Sequence, residues 1–210
     1  MAFTFQIRNS ASQDRLEKLI EARLQPGANK ADIDHRIWDL FGEEWAIMYT
    51  DLSGFSRSVE AFGIIHFLQV IYESHKLLVP CIDQHDGILL KIEADSMLVI
   101  FRNVRKAIDC AVSMQQATKD YNYDKEDTEK IFLCVGLGFG KVLRIGDEDV
   151  FGAEVNAACK LGEDLARAWE ILVTDAVFDV ARDRPQVEFV CLDATPSGAS
   201  GAYKMYYTLD

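Results

Sequence analysis

Residues 45–210 predict an α+β domain of the split βαβ kind, with an antiparallel-rich sheet and helices mainly on one face. Three observations carry that prediction. Short apolar runs alternate with longer stretches of helical spacing. Strands arrive in pairs between the helices, in the order strand, helix, strand pair, helix, strand pair, helix, strand. Turn signals such as Asp86-Gly87 stand where a pair begins. That order excludes a doubly wound dinucleotide-binding sheet.

The first 44 residues read as a helical extension. Asp14 to Leu24 is a short amphipathic helix ended by Pro26-Gly27, and Ala31 to Phe41 is a second, with Ile33, Ile37, Trp38 and Phe41 on one face and Gly42 as its stop. Such a segment has no core of its own and is expected to pack on the main domain or on a partner. The first strand centres on Ala46 to Thr50 and ends at Asp51, and Ser53-Gly54-Phe55 turns into a helix over Ser56 to Gln84 with a break near Gly63. Ile88 to Ile92 and Met97 to Phe101 form a strand pair around Glu93-Ala94-Asp95-Ser96, followed by a helix over Val104 to Tyr121 and a charged loop to Lys130. Ile131 to Phe139 and Val142 to Ile145 are expected as a hairpin turning at Gly140-Lys141. Gly152 to Ala166 is helical and Ile171 to Thr174 a buried strand, and Val187 to Leu192 pairs with Tyr203 to Leu209 across the small-residue loop Pro196 to Gly201.

Composition bounds the function. The apolar share of 49 % and charged share of 27 % are those of a globular chain. A net charge of −12 argues against a nucleic-acid partner or an anionic membrane surface. No apolar run reaches the ~18 residues of a membrane span. Five cysteines without CxxC spacing, and no secretory leader, lead us to expect reduced thiols in a cytoplasmic setting. The four histidines do not cluster at ligand spacing.

Within this frame a few polar residues could carry chemistry. Asp51 ends a buried strand just before a helix, where carboxylates either cap the helix or hold the metal that accompanies a phosphate. Asp95 is either a polar turn residue or a second metal ligand. A ferredoxin-like sheet sets the first and third strands side by side, which brings the Asp95 hairpin against the Asp51 strand and permits a two-metal site. Glu93 reads as a turn residue. Gly136-Leu-Gly-Phe-Gly-Lys141 fits neither GxxxxGK[ST] nor GxGxxG before a helix, so strand plus turn describes it better than a phosphate loop. Asn156 and Lys160 lie four apart on one helix face, either as an ordinary polar surface or as an amide and an ammonium suited to a ribose and a phosphate.

Taken together, Asp51-Leu-Ser-Gly-Phe, Lys91-Ile-Glu-Ala-Asp95 and Asp149-Val-Phe-Gly-Ala-Glu-Val-Asn156-Ala-Ala-Cys-Lys160 resemble the class III adenylate/guanylate cyclase catalytic domain in order and separation, over about residues 45–192. The resemblance implies an adenylate cyclase that converts ATP to 3′,5′-cyclic AMP and pyrophosphate. It implies that Asp51, Asp95 and the Leu52 carbonyl hold two Mg²⁺ or Mn²⁺ ions, and that Ser53, Gly54 and Phe55 cradle the triphosphate. Lys91 with Asp149 would read adenine, Asn156 would orient the ribose, Lys160 would stabilise the reacting phosphate, and Asp51 could take the hydroxyl proton. It further implies a homodimer with shared active sites. Two positions depart from the pattern. Lys160 stands where the family carries Arg, which removes a bidentate fork, and Ala94 replaces a glycine before the second aspartate. A degenerate homologue that binds nucleotide or a partner without turnover is the alternative.

Overall fold

The computed structural model describes residues 11–54 and 63–209. Its helices are α1 (Ala11–Leu24), α2 (Lys30–Phe41), α3 (Ile64–Gln84), α4 (Val104–Asn122), α5 (Ala153–Lys160) and α6 (Asp175–Ala181). Its strands are β1 (Gly42–Leu52), β2 (Ile88–Glu93), β3 (Ser96–Phe101), β4 (Leu133–Ile145), β5 (Asp149–Phe151), β6 (Ile171–Thr174), β7 (Val187–Cys191) and β8 (Ala202–Tyr207). They form one eight-stranded sheet in the order β2-β3-β1-β4-β6-β8-β7, with β5 pairing only the end of β4. Among the described residues only the β4–β6 pairing is parallel, so the sheet is antiparallel-rich and its β2-β3-β1-β4 half has the ferredoxin-like order.

The run Trp45 to Met48 is apolar without alternation because both faces of β1 are covered. Ala46 and Met48 point into a core with Val99, Phe101, Leu78, Ile82, Ile108 and Met114, beneath α3 and α4, and α6 adds Val177 and Ala181 to the same side. Trp45 and Ile47 point the other way, to Leu98, Ile100, Val142, Val155 and Ala158, where α5 lies. The long helices thus share one face and the short α5 occupies the other. β1 and β4 are in register from Gly42 opposite Leu143 to Leu52 opposite Leu133. On the other flank Thr50 faces Met97 of β3, which sets the tip of the β2–β3 hairpin beside Asp51.

Several expectations are corrected. No hairpin turns at Gly140-Lys141: β4 is continuous and these residues face Trp45 and Glu44 of β1. The alternating glycines have a different cause. A side chain on Gly136 would run into the Ala158 carbonyl, and one on Gly138 would lie 2.5 Å from the Glu154 carbonyl. The glycines cut a groove that lets the α5 backbone settle onto the sheet. The reversal comes later, at Gly146 (φ 60°), which leads β4 into β5. The helix expected to reach Ala166 ends at Lys160 and continues as one π turn, Leu161–Leu165. Helix α6 was not anticipated. In α2 the residues Ile33, Ile37 and Phe41 are buried as expected, with Leu19 of α1 and Ile145 of β4. Trp38 instead stays 46 % exposed, because its ring lies over Gly42 at the helix end rather than in the core. Of the helix expected over Ser56 to Gln84, the part before Gly63 lies outside the described residues, and Gly63 (φ 83°) marks the break.

Candidate active site

Asp51 is half-buried at the carboxyl end of β1 and accepts a 2.9 Å hydrogen bond from the Ser96 hydroxyl. Burial pushes its carboxyl up to about 6, with the negative charges of Asp95 and Glu163 adding to the rise and the Ser96 bond opposing it. Asp95 stands at the hairpin tip, also raised by burial, with the backbone N–H groups of Asp95 and Leu52 opposing the rise. Strand pairing therefore brings the two carboxylates together, as the sequence led us to expect. Two half-buried, mutually repelling carboxylates are a donor set of hard oxygens that a divalent cation would relieve, and in that sense the residues fit such an ion. Among the described residues no three His, Cys, Asp or Glu side chains converge, so this pair would need backbone or substrate oxygens to complete a shell.

Of the turn expected to cradle a triphosphate, Ser53 and Gly54 are described. The Ser53 amide donates to the Phe132 carbonyl at 2.8 Å, extending the β1–β4 ladder, and is committed there rather than aimed at a phosphate. Gly54 is left-handed at φ 95°. Phe55 lies outside the described residues.

Lys91 and Asp149 are 58 residues apart, and the fold joins them. Lys91 follows a bulge in β2, Asp149 opens β5, and the ammonium donates to the carboxylate at 2.6 Å. The other oxygen of Asp149 accepts the Val150 N–H at 2.9 Å, which fixes the carboxylate's orientation. Both side chains line a cavity of about 310 Å³, together with Asn156 from α5, Tyr49, Ser96 and Glu163. Ser96 thus touches Asp51 and walls this cavity as well. Lys160, one helical turn beyond Asn156, is exposed and does not line it. A larger hollow of about 460 Å³ lies at the other end of β1 against Trp38 and Glu43, but Glu43 is tied there to Arg102 and the Trp45 indole. Lys91, Asp149 and Asn156, singled out in the sequence, all line the smaller cavity.

The profile of the adenylate and guanylate cyclase catalytic domain family matches residues 42–209. The chain belongs to that family. Among relatives, it is 30 % identical over 145 residues to a Rhizobium meliloti (strain 1021) protein named "Putative adenylate cyclase 3", covering 69 % of this chain and 24 % of that one. It is 29 % identical over 153 residues to the serine/threonine-protein kinase pkn2 of Myxococcus xanthus, covering 73 % of this chain and 18 % of that one. The chain therefore spans about a quarter or less of the length of these relatives. Among solved structures, an adenylate/guanylate cyclase/hydrolase from Silicibacter pomeroyi superposes with a TM-score of 0.68 at 26 % identity, over 80 % of this chain and 98 % of that one. The adenylyl cyclase CyaB from P. aeruginosa shares the fold, with a TM-score of 0.65 at 17 % identity over 80 % and 95 % of the two chains.

In this cyclase domain three polar residues escaped the sequence reading. Ser96 was a loop residue there, yet it opens β3 and is buried against Asp51. Glu93, set aside as a turn residue, shares a strand with Lys91 two positions away and lines the same cavity; the period of two was the available signal. Glu163 stands seven residues after Asn156, a helical spacing that would have flagged it. The departure at Ala94 has a structural counterpart, since its φ is 53°, in the region that favours glycine.

Proposed function

We propose that this cyclase domain is an adenylate cyclase, forming 3′,5′-cyclic AMP and pyrophosphate from ATP at a homodimer interface. The observation that carries the reading is the Lys91–Asp149 pair at 2.6 Å, in one cavity with Asn156. Lys91 has three donors, so it can keep Asp149 and still donate to the purine N1, while Asp149 accepts from the 6-amino group. Guanine presents the reverse pattern at those two positions. Asn156 binds a ribose oxygen, and Lys160 reaches out from the exposed end of α5 to neutralise a phosphate.

Asp51, Asp95 and the Leu52 carbonyl would hold two Mg²⁺ or Mn²⁺ ions. Bound there, the ions supply Lewis-acid activation of the 3′-hydroxyl and charge neutralisation of the triphosphate. Asp51, at the end of β1, is our candidate for the group that takes the hydroxyl proton. Most of the rate would come from positioning and fixed charge. The base-reading and metal-holding groups would meet across a two-fold axis, each subunit lending one set to each site. Of residues 1–44, expected as a helical extension, Gly42 to Glu44 already belong to β1; helices α1 and α2, which dock on β4, are our candidate for a regulatory extension.

A second reading, a homologue that binds nucleotide without turnover, draws on Lys160 standing outside the cavity wall and on the strained Ala94. Incubation with ATP or GTP and Mn²⁺, with chromatography of the products, separates the two. Cyclic AMP from ATP, with little cyclic GMP from GTP, supports the cyclase. Nucleotide binding without either product supports the second reading. Equal use of GTP would remove Lys91–Asp149 as the discriminating pair, because a site built to bond one purine edge leaves polar groups unpaired against the other.

A further inference from the structure

The π turn after α5 has a purpose that the cyclase reading leaves unassigned. Ala166 donates back five residues to the Leu161 carbonyl at 2.8 Å, and such turns recur at functional sites. Gly162 presses this turn onto the sheet: a side chain there would lie 2.7 Å from the Tyr49 carbonyl and 3.1 Å from the Gly136 nitrogen. The residue after that docked glycine is Glu163, and its side chain lines the cavity that holds Lys91, Asp149 and Asn156. Lys160, the polar residue that the family pattern would favour, does not.

The charge balance says which part of a ligand Glu163 meets. The cavity wall carries three carboxylates, Glu93, Asp149 and Glu163, against one ammonium, Lys91, and Lys91 is already paired with Asp149. Such a wall repels a triphosphate and suits the neutral end of a nucleotide, whose ribose hydroxyls donate hydrogen bonds that a carboxylate accepts. Tyr49 and Cys159, both in the wall, are raised mainly by burial, and the negative charge of Glu163 adds to the rise in each. Glu163 is itself exposed and sits on the wall of the cavity.

We propose that Glu163 positions the substrate by accepting a hydrogen bond from a ribose hydroxyl of the nucleotide whose sugar Asn156 orients. This rests on the nucleotide-cyclase reading and extends it by one residue. The contact is made before and during the reaction, so its loss weakens binding as well as turnover.

The test is a cycle between residue and hydroxyl. Binding of α,β-methylene-ATP, and of its 2′-deoxy and 3′-deoxy counterparts, is measured with Mg²⁺ by calorimetry on the full chain and on Glu163→Ala and Glu163→Gln. Removing a charged acceptor should weaken the ribonucleotide on the order of tenfold. It should change by less than about twofold the deoxy compound that already lacks the contacted hydroxyl. Glu163→Gln, which keeps an acceptor oxygen, should lose less than Glu163→Ala and serves if the alanine variant folds poorly. An equal loss for all three nucleotides, or none, overturns the assignment while leaving the cyclase reading intact. Failure of the unaltered chain to bind α,β-methylene-ATP at all overturns both.

Discussion

Ala94 offers a measurement in which the direction of the effect follows from one dihedral angle. It is the first residue of the two-residue turn between Glu93 and Ser96, which face each other across the hairpin. Its φ is 53°, and Asp95 beside it has no positive φ. Turns with a left-handed first residue alone favour glycine there. Holding an L-residue in that region costs roughly 1–2 kcal/mol, whereas glycine costs about 0.4–1 kcal/mol more to order from the unfolded chain. Ala94 is exposed, so its methyl group contributes little packing. The difference makes Ala94→Gly more stable by about 0.5–1 kcal/mol. For a chain of this size that is an upward shift of about 0.3 M in the urea midpoint at unchanged slope, or about 2 °C in Tm. Ala94→Val should move the midpoint down, since a β-branched residue tolerates positive φ worse than alanine. Because Asp95 keeps its place at the hairpin tip, formation of cyclic product should not fall in the glycine variant. A midpoint that drops in Ala94→Gly would refute the argument that this turn is strained.

Three further outcomes are expected. Asp51→Ala and Asn156→Ala should each be nearly inactive alone; mixed with subunit exchange, they should recover about a quarter of the parental activity per protomer, from one intact site in each of the half of dimers that are mixed. No recovery, with exchange shown independently, counts against shared sites. Lys160→Ala should lower kcat on the order of 10²–10³ with little change in nucleotide affinity, and Lys160→Arg should equal or exceed the parent; an alanine variant with unchanged kcat leaves this lysine on the surface. The Glu154 carboxylate accepts bonds from the Thr174 hydroxyl at 2.8 Å and the Phe139 N–H at 3.1 Å, but burial raises it above its ordinary 4.5. The folded chain then binds more protons than the unfolded one just above pH 4.5, so this group's contribution to stability is greatest below that pH and declines as pH rises through the folded value. Glu154→Gln removes the titration, and its urea midpoint relative to the parent should rise as pH climbs above about 4.5; a pH-independent difference would show that the carboxyl is not raised.

Much of the domain was legible from local pattern. β6 is the run Ile171–Thr174 that its apolar residues marked, and α4 lies within a residue of its expected ends, because each carries its own period and end signals. The placement of the two candidate aspartates was legible for a similar reason: Asp51 ends an apolar run and Asp95 occupies a turn, both local features. That the two meet followed from strand order, which the alternation of helices and strand pairs already restricted. Phe55 had no such outcome, since it lies outside the described residues.

What local pattern could not supply was the use to which a residue is put across the sheet. Gly136, Gly138 and Gly140 carry the composition of a turn, and only the docking of α5 shows that they clear a path for a backbone. Nothing local to Ser53 shows that its amide donates to Phe132, just before β4. Trp38 has core character by type, but Gly42 halts α2 and leaves the ring on the surface. Lys91 and Asp149 could be paired from sequence only through a family likeness, and it is the return of β5 onto β4, beside the β2 bulge, that closes 58 residues to 2.6 Å. The sequence by itself determined most of the elements, the family and which acids end which strands, because those depend on periods and caps within a few residues. The tertiary structure decided which side chains share a cavity and which amides are already used, because those depend on contacts between segments that no local period encodes.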